Sequence, residues 1–201
     1  MTNASKNSAS VSVKEDTSIS IMSKDEIISI QYTELENYHK GDSWFGCSVG
    51  FRAMQAAANI CTQTSSWSRD NLTIVSGHPG PGVKDAIELI THCVSSKRFR
   101  LLDDTPTEGC SRGMKFEWWV SNDRITVHVK LHDNFVPETF YSLLDRLNSD
   151  DEKDSDRDSF DQHKNDLSYQ LWHQPLESSF KVNVLSTPLS PGDLPEGFAD
   201  A

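Results

Sequence analysis

Two segments of this chain are turns that run straight into helices, and together they restrict the fold more than any other part of it. The first reads Tyr38-His39-Lys40-Gly41-Asp42-Ser43-Trp44-Phe45-Gly46-Cys47-Ser48-Val49-Gly50-Phe51-Arg52-Ala53. The second reads Ile74-Val75-Ser76-Gly77-His78-Pro79-Gly80-Pro81-Gly82-Val83-Lys84-Asp85-Ala86-Ile87 and continues to Cys93. Each is a polar, Gly-rich turn feeding an apolar-periodic helix. A helix N-terminus presents unpaired N–H groups and a partial positive charge, so side chains held in the turn before it face a polar site. Two such turns in one small domain predict a pocket between them.

A chain of 201 residues with 36% hydrophobic content supports one core, hence one domain with unstructured ends. The net charge of −11 argues against nucleic acid, because phosphate binding relies on clustered Lys and Arg. Cys47, Cys61, Cys93 and Cys110 form no C-x-x-C and no regular framework, so neither a zinc ribbon nor a disulfide scaffold is indicated and a reducing, cytoplasmic setting is expected. Residues 1–20 lack the basic and apolar regions of a secretory signal, and no stretch approaches the length of a membrane span.

Residues 1–24 read as a disordered tail, too poor in apolar side chains to offset ordering entropy. Ser23 and Glu26 have capping-box spacing, so Ile27 to Leu35 is a helix or an opening strand, with helix favoured. A helix is predicted over 47–60, a strand over 72–75, and a helix over 83–94 with Val83, Ile87, Ile90 and Val94 on one face. The period then changes. Residues 114–120 and 125–131 alternate as two strands joined by Ser121-Asn122-Asp123-Arg124, an antiparallel aromatic hairpin. Pro137 opens a short helix carrying Phe140, Leu143, Leu144 and Leu147. The core is therefore expected over 25–148, followed by an acidic low-complexity loop over 149–168 with no assigned chemistry, a strand within 169–187 that completes the core, and a tail over 188–201. The fold class expected is α+β: an antiparallel sheet with an aromatic hairpin, covered by helices.

Candidate catalytic residues sit in the two turns. His39 and Asp42 flank Gly41 ahead of a helix, where a carboxylate gains from the helix dipole and an imidazole can act as acid or base; turn and N-cap chemistry is the competing account. His78 lies in a loop shaped by two prolines and three glycines and is the first candidate for a functional imidazole, against a rigid turn with an exposed His. Arg52 either binds a substrate carboxylate or pairs with a structural acid such as Asp85, the pairing being favoured; Lys84, in the first turn of its helix, either assists an anion or is a surface Lys. Trp44 belongs to the first turn and is a further substrate-binding candidate. His128, Lys130 and His132 alternate on one strand face and either line a cleft or face solvent. Trp118 and Trp119 point to opposite faces, so one is core and the other is available to a ligand; aromatic walls with few polar groups are the usual lining of a small-molecule pocket.

The order of turn-helix, strand-turn-helix, aromatic hairpin and short helix resembles the core domain of the FmdE-like family, named after a component of formylmethanofuran dehydrogenase. The resemblance covers roughly residues 28–147 and rests on Gly46 to Ala53 with its Gly-Phe-Arg-Ala ending, on Asp85-Ala86-Ile87 followed by Thr91-His92-Cys93, and on the hairpin from Lys115 to Leu131. It implies a homodimer and a metal or thiol site. The family's two histidines fall on Lys40 and Asp42, or on His39 and Gly41 with a shift of one, and the cysteine before Asp85 falls on Gly82; Cys93 alone matches a family cysteine. With those ligands replaced and no cofactor expected, the sequence points to a cofactor-independent lyase, isomerase or cyclase that holds an apolar or carboxylated small molecule by shape and hydrogen bonding, an intramolecular cyclisation or cycloaddition among the options. A metal-binding or redox accessory protein and a non-catalytic binding module are the alternatives.

Overall fold

The computed structural model describes residues 17–64, 67–105 and 110–197. The first elements differ from expectation. β1 (Ser18–Ser23) and β2 (Glu26–Gln31) form an antiparallel hairpin in which Ser23 pairs with Glu26 and Ser18 with Gln31. Residues 18–24 are therefore ordered rather than part of a tail, and 26–31 is strand where helix was favoured; residues 1–16 of that tail lie outside the described residues. The turn supplies the reason. Lys24 and Asp25 both have positive φ, 48° and 67°, the handedness that lets a two-residue loop match the strand twist. Neither is glycine, so the turn leaves little mark in the sequence. The helix starts only afterwards, as α1 (Tyr32–Tyr38), where Gln31 N–H donates to Glu34 Oε1 at 2.8 Å.

α2 (Trp44–Cys61) begins three residues before its expected start and is buried on nearly all sides, as a helix that is apolar all round must be. β3 (Thr73–Ser76) is wholly buried and leads through the second turn into α3 (Pro81–Thr91), with Pro81 in the first helical turn. α3 stops short of the expected Val94 because His92 turns left-handed at φ 57°. Arg69 Nε and Nη2 then donate to the carbonyls of Ile90 and Leu89 at 2.9 and 2.7 Å, closing the helix end. α2 and α3 touch at backbone level: a Cβ on Gly50 would stand 3.0 Å from the Cα of Val83 and from the Cβ of Ala86.

The remaining elements are β4 (Phe99–Leu101), β5 (Glu117–Ser121), β6 (Thr126–Leu131), α4 (Glu138–Leu147), α5 (Asp156–His173), α6 (Leu176–Ser179) and β7 (Phe180–Leu185). The five-stranded sheet runs β4-β3-β5-β6-β7, antiparallel except for the β3–β4 pair. The fold is α+β. β5 and β6 are the aromatic hairpin, in register with Trp118 opposite Val129 and Trp119 opposite His128, and Asn122 Oδ1 accepts from the N–H groups of Arg124 and Ile125 at 2.9 Å each. One face of the sheet, with Trp118, Val120, Val127 and Val129, joins the main core under the helices. On the other face Val75, Leu102 and Trp119 form a smaller cluster covered by Leu189 and Leu194. Leu189 N–H donates to Ser121 Oγ and Thr126 Oγ1 to Thr187 O, each at 2.7 Å. Part of the expected 188–201 tail is thus packed on the sheet.

The largest correction is α5. The block expected as a solvated acidic loop over 149–168 contains most of an 18-residue helix packed along α2 and α4. Its inner side is Phe160, Lys164, Leu167 and Leu171, the i, i+4, i+7, i+11 spacing of a helix face. Lys164 interrupts that apolar run, so the face is hard to read among so many charges. Asp156 fixes the start of the helix: its carboxylate accepts from Arg146 Nε and Nη2 at 2.8 Å each and from Lys153 N–H at 3.1 Å, which holds its carboxyl down at about 2. Because the folded value lies below the ordinary carboxylate value near 4, this stabilisation is present above about pH 4 and is lost as pH falls toward 2. Asp156→Asn is expected to lower the melting temperature at pH 7 and to leave it much less changed at pH 2.5, read by far-ultraviolet circular dichroism. Equal losses at both pH values would contradict this role. Among the described residues no helix is long and apolar enough to cross a membrane.

Candidate functional site

The two turns meet. Gly82, at the start of α3, packs on the start of α2 so closely that a Cβ there would lie 2.7 Å from Cys47 N and would also strike Ser43 O. Beside this junction lies a cavity of about 190 Å³ whose walls come from both turns and from α4, α5 and the approach to β5. Its apolar surface is largely aromatic, with Phe45, Phe116, Phe140 and Phe160 joined by Met114 and Leu144. Asp42, Ser43, His78, Cys110 and Lys164 supply the polar groups.

His78 is buried, at 4% exposure, and not the exposed turn residue of the competing account. Ser76 Oγ accepts from His78 N–H at 3.1 Å and donates to His78 O at 3.0 Å, locking the turn backbone. Gly80 N–H donates to His78 Nδ1 at 3.0 Å, so the ring proton resides on Nε2. The ring meets Phe116 edge-on at 4.6 Å. Burial drives the imidazole pKa down to about 3, because no aqueous shell supports the charged form. His78 is thus a neutral hydrogen-bond donor at physiological pH.

His39 does a different job. Its Nδ1–H donates to Asp85 Oδ2 at 2.8 Å and its Nε2 accepts from Ser43 N–H at 3.2 Å, so both ring nitrogens are occupied in clamping the first turn to α3. Asp85 is therefore the partner of His39 and not of Arg52. Arg52 instead donates to Gln55 Oε1 at 2.8 Å and to Gln174 O at 3.0 Å, with its guanidinium 5.2 Å above the Trp172 ring. The side chain facing Asp42 comes from the segment to which the sequence assigned no chemistry: Lys164 Nζ donates to Asp42 O at 2.9 Å, pairs with Asp161 at 2.8 Å and sits 3.7 Å over the Trp44 ring. Spacing on α5 was the available signal, a Lys placed where the helical period calls for an apolar side chain.

A second, larger opening of about 1010 Å³ lies between α1 and α2 on one side and α5 and α6 on the other, lined in part by Tyr32, Trp44, Arg52 and Trp172. The stacked Trp44 and Lys164 side chains stand between it and the inner cavity, one lining each. Ser48 Oγ accepts from Trp172 Nε1 at 3.2 Å and lies 2.8 Å from Tyr32 Oη. Burial raises the Tyr32 phenol well above its ordinary range, so it remains a neutral hydroxyl.

The other candidates lie elsewhere. Trp118 is fully enclosed in the core, and Trp119 lies under Leu189 and Leu194, so neither lines the cavity or the groove. His128 stacks flat on Trp119, with centroids 4.4 Å apart, and its Nε2 is 3.2 Å from Glu117. Lys130 pairs with Asp133 at 3.0 Å and His132 Nε2 lies 3.1 Å from Glu177 O; these alternating side chains are joined to neighbouring groups on the sheet and its edge. Lys84 is exposed on α3.

The metal or thiol site implied by the resemblance does not fit the residues present. His39 has no free ring nitrogen, and Cys93 is buried with its Sγ 3.3 Å from Leu72 O and its thiol pushed up by burial. Cys47 is likewise pushed up to about 12. Among the described residues no three His, Cys, Asp or Glu side chains gather closely enough to hold a metal ion. No protein-family model matches the sequence, and a search of curated proteins finds no match.

Proposed function

We propose that the chain is a cofactor-independent enzyme of lyase, isomerase or cyclase type, acting on a small, largely apolar molecule that bears a carbonyl or carboxylate. In this reading it shares its core with the FmdE-like family and has exchanged that family's metal and thiol groups for a packed aromatic site. The observation that carries the proposal is the neutral, buried His78, its tautomer fixed by Gly80, on the wall of an aromatic cavity.

The chemistry follows from that arrangement. Nε2–H donates to a carbonyl oxygen or to the oxyanion that develops from it, and the aromatic walls exclude water that would screen the bond. A donor set in place by the fold needs no reorganisation during reaction, and one such donor is worth roughly 10²–10³ in rate. Lys164, anchored to Asp42 O and paired with Asp161, lines the same cavity and supplies a second N–H donor there. A cavity of about 190 Å³ holds a ring-sized fragment, since a space of ~150 Å³ accepts benzene.

Thermal unfolding with acetophenone and cyclohexanone tests this reading. Each is expected to raise the melting temperature, and the rise is expected to vanish in Leu144→Trp, which fills the cavity, and to shrink in His78→Phe, which removes the donor while keeping a ring. If no monocyclic ketone stabilises the protein, the proposal fails. Stoichiometric zinc or iron in the purified protein, lost in His78→Ala, would overturn the cofactor-free part of it.

A further inference from the structure

The geometry points to the groove between α1/α2 and α5/α6 as a second binding site, for a flat, uncharged organic molecule carrying a carbonyl or similar hydrogen-bond acceptor. This goes beyond the chemistry at the inner cavity and does not depend on it. At about 1010 Å³ the groove has the volume that encloses a drug-sized ligand, whereas the inner cavity has about a fifth of that.

Flatness follows from the walls. Tyr32 from α1, Trp44 from α2 and Tyr169 and Trp172 from α5 present ring surfaces to the groove, and Tyr32 meets Trp172 at 4.5 Å between centroids. Planar ligands gain most from such faces. Tyr169 is 57% exposed and stacked on His173 at 3.7 Å, so an aromatic pair stands on the rim.

The absence of charge on the ligand follows from the electrostatics. A cation meets the Arg52 guanidinium, which donates to the neutral oxygens Gln55 Oε1 and Gln174 O, and Asp161 pairs with Lys164. Glu36 and Glu177 lie exposed on the rim of a chain of net charge −11, which disfavours a carboxylate. The acceptor follows from two orphaned polar atoms. Trp44 Nε1 and Ser168 Oγ, both in residues lining the groove, are buried without a hydrogen-bond partner among the described residues. Buried polar atoms are ordinarily satisfied, and a ligand oxygen can take the indole N–H or the hydroxyl with small side-chain shifts.

Calorimetric titration of the full chain with fluorenone, anthraquinone and progesterone, and with fluorene as the fluorenone skeleton lacking oxygen, tests the inference. At least one of the three carbonyl compounds is expected to bind saturably at one per chain, and fluorene about tenfold more weakly than fluorenone. Thr33→Trp and Asn165→Trp, at exposed positions on facing walls of the groove, are each expected to weaken binding about tenfold or more. Leu144→Trp, inside the inner cavity, is expected to leave it unchanged. No saturable binding of any of the three overturns the site. Loss of binding in Leu144→Trp with retention in both groove variants overturns its location, and equal binding of fluorene and fluorenone overturns the acceptor requirement.

Discussion

Gly82→Ala is expected to destabilise the protein by about 3 kcal/mol or more, at the upper end of overpacking costs, measured by urea unfolding at pH 7. The added methyl would stand 2.7 Å from Cys47 N and strike Ser43 O, both backbone atoms fixed at the start of α2. No side chain can rotate away, so the two turns must separate. Gly46→Ala is the matched control. Its nearest neighbours would be the Cα of Gly82 and the N of Val83, at 3.4 Å, ordinary contact. Replacing a helical glycine there is expected to be neutral, or to add up to about 1 kcal/mol from helix propensity. If both variants lose the same stability, the close approach at Gly82 is not what joins the turns.

His78 is expected to dominate the acid sensitivity of the fold. Its pKa is about 3 when folded and near 6.5 when unfolded, so between those values the unfolded chain binds more protons. Stability therefore falls as pH drops from about 6.5 and the loss is complete near pH 3. The interval corresponds to on the order of 5 kcal/mol at full burial. His78→Gln retains an acceptor for Gly80 N–H but has no titrating ring. Urea unfolding of both proteins at pH 7, 5 and 4 should show the wild type losing more stability with each step, so that the gap between them changes with pH. Parallel stabilities across the series would mean that the imidazole is not held neutral by burial.

Several elements are legible in the sequence for stated reasons. Val83, Ile87 and Ile90 at helical spacing mark α3, although it opens two residues before the expected Val83, at Pro81, and alternation in Lys115 to Leu131 marks the β5–β6 hairpin. Other elements are hidden because the deciding residue is atypical for its role. Lys24-Asp25 makes a left-handed turn without glycine, and Lys164 occupies an inner position of α5 that the period assigns to an apolar side chain. The same holds at the site. Spacing brings His78 and Asp42 to notice, but only the fold commits both nitrogens of His39 to Asp85 and Ser43, turns Arg52 toward Gln55, and sets Lys164 against the backbone of Asp42 from a distant part of the sequence.

The bond from Lys164 to Asp42 O joins residues 122 positions apart, and this has a kinetic meaning. Closing a contact of such sequence separation costs loop entropy before the contact repays it. The inner cavity is thus built from distant parts of the chain and has no counterpart in any local fragment. A ligand that fits it should slow unfolding of the entire chain, while an isolated turn-helix segment should show no affinity at all.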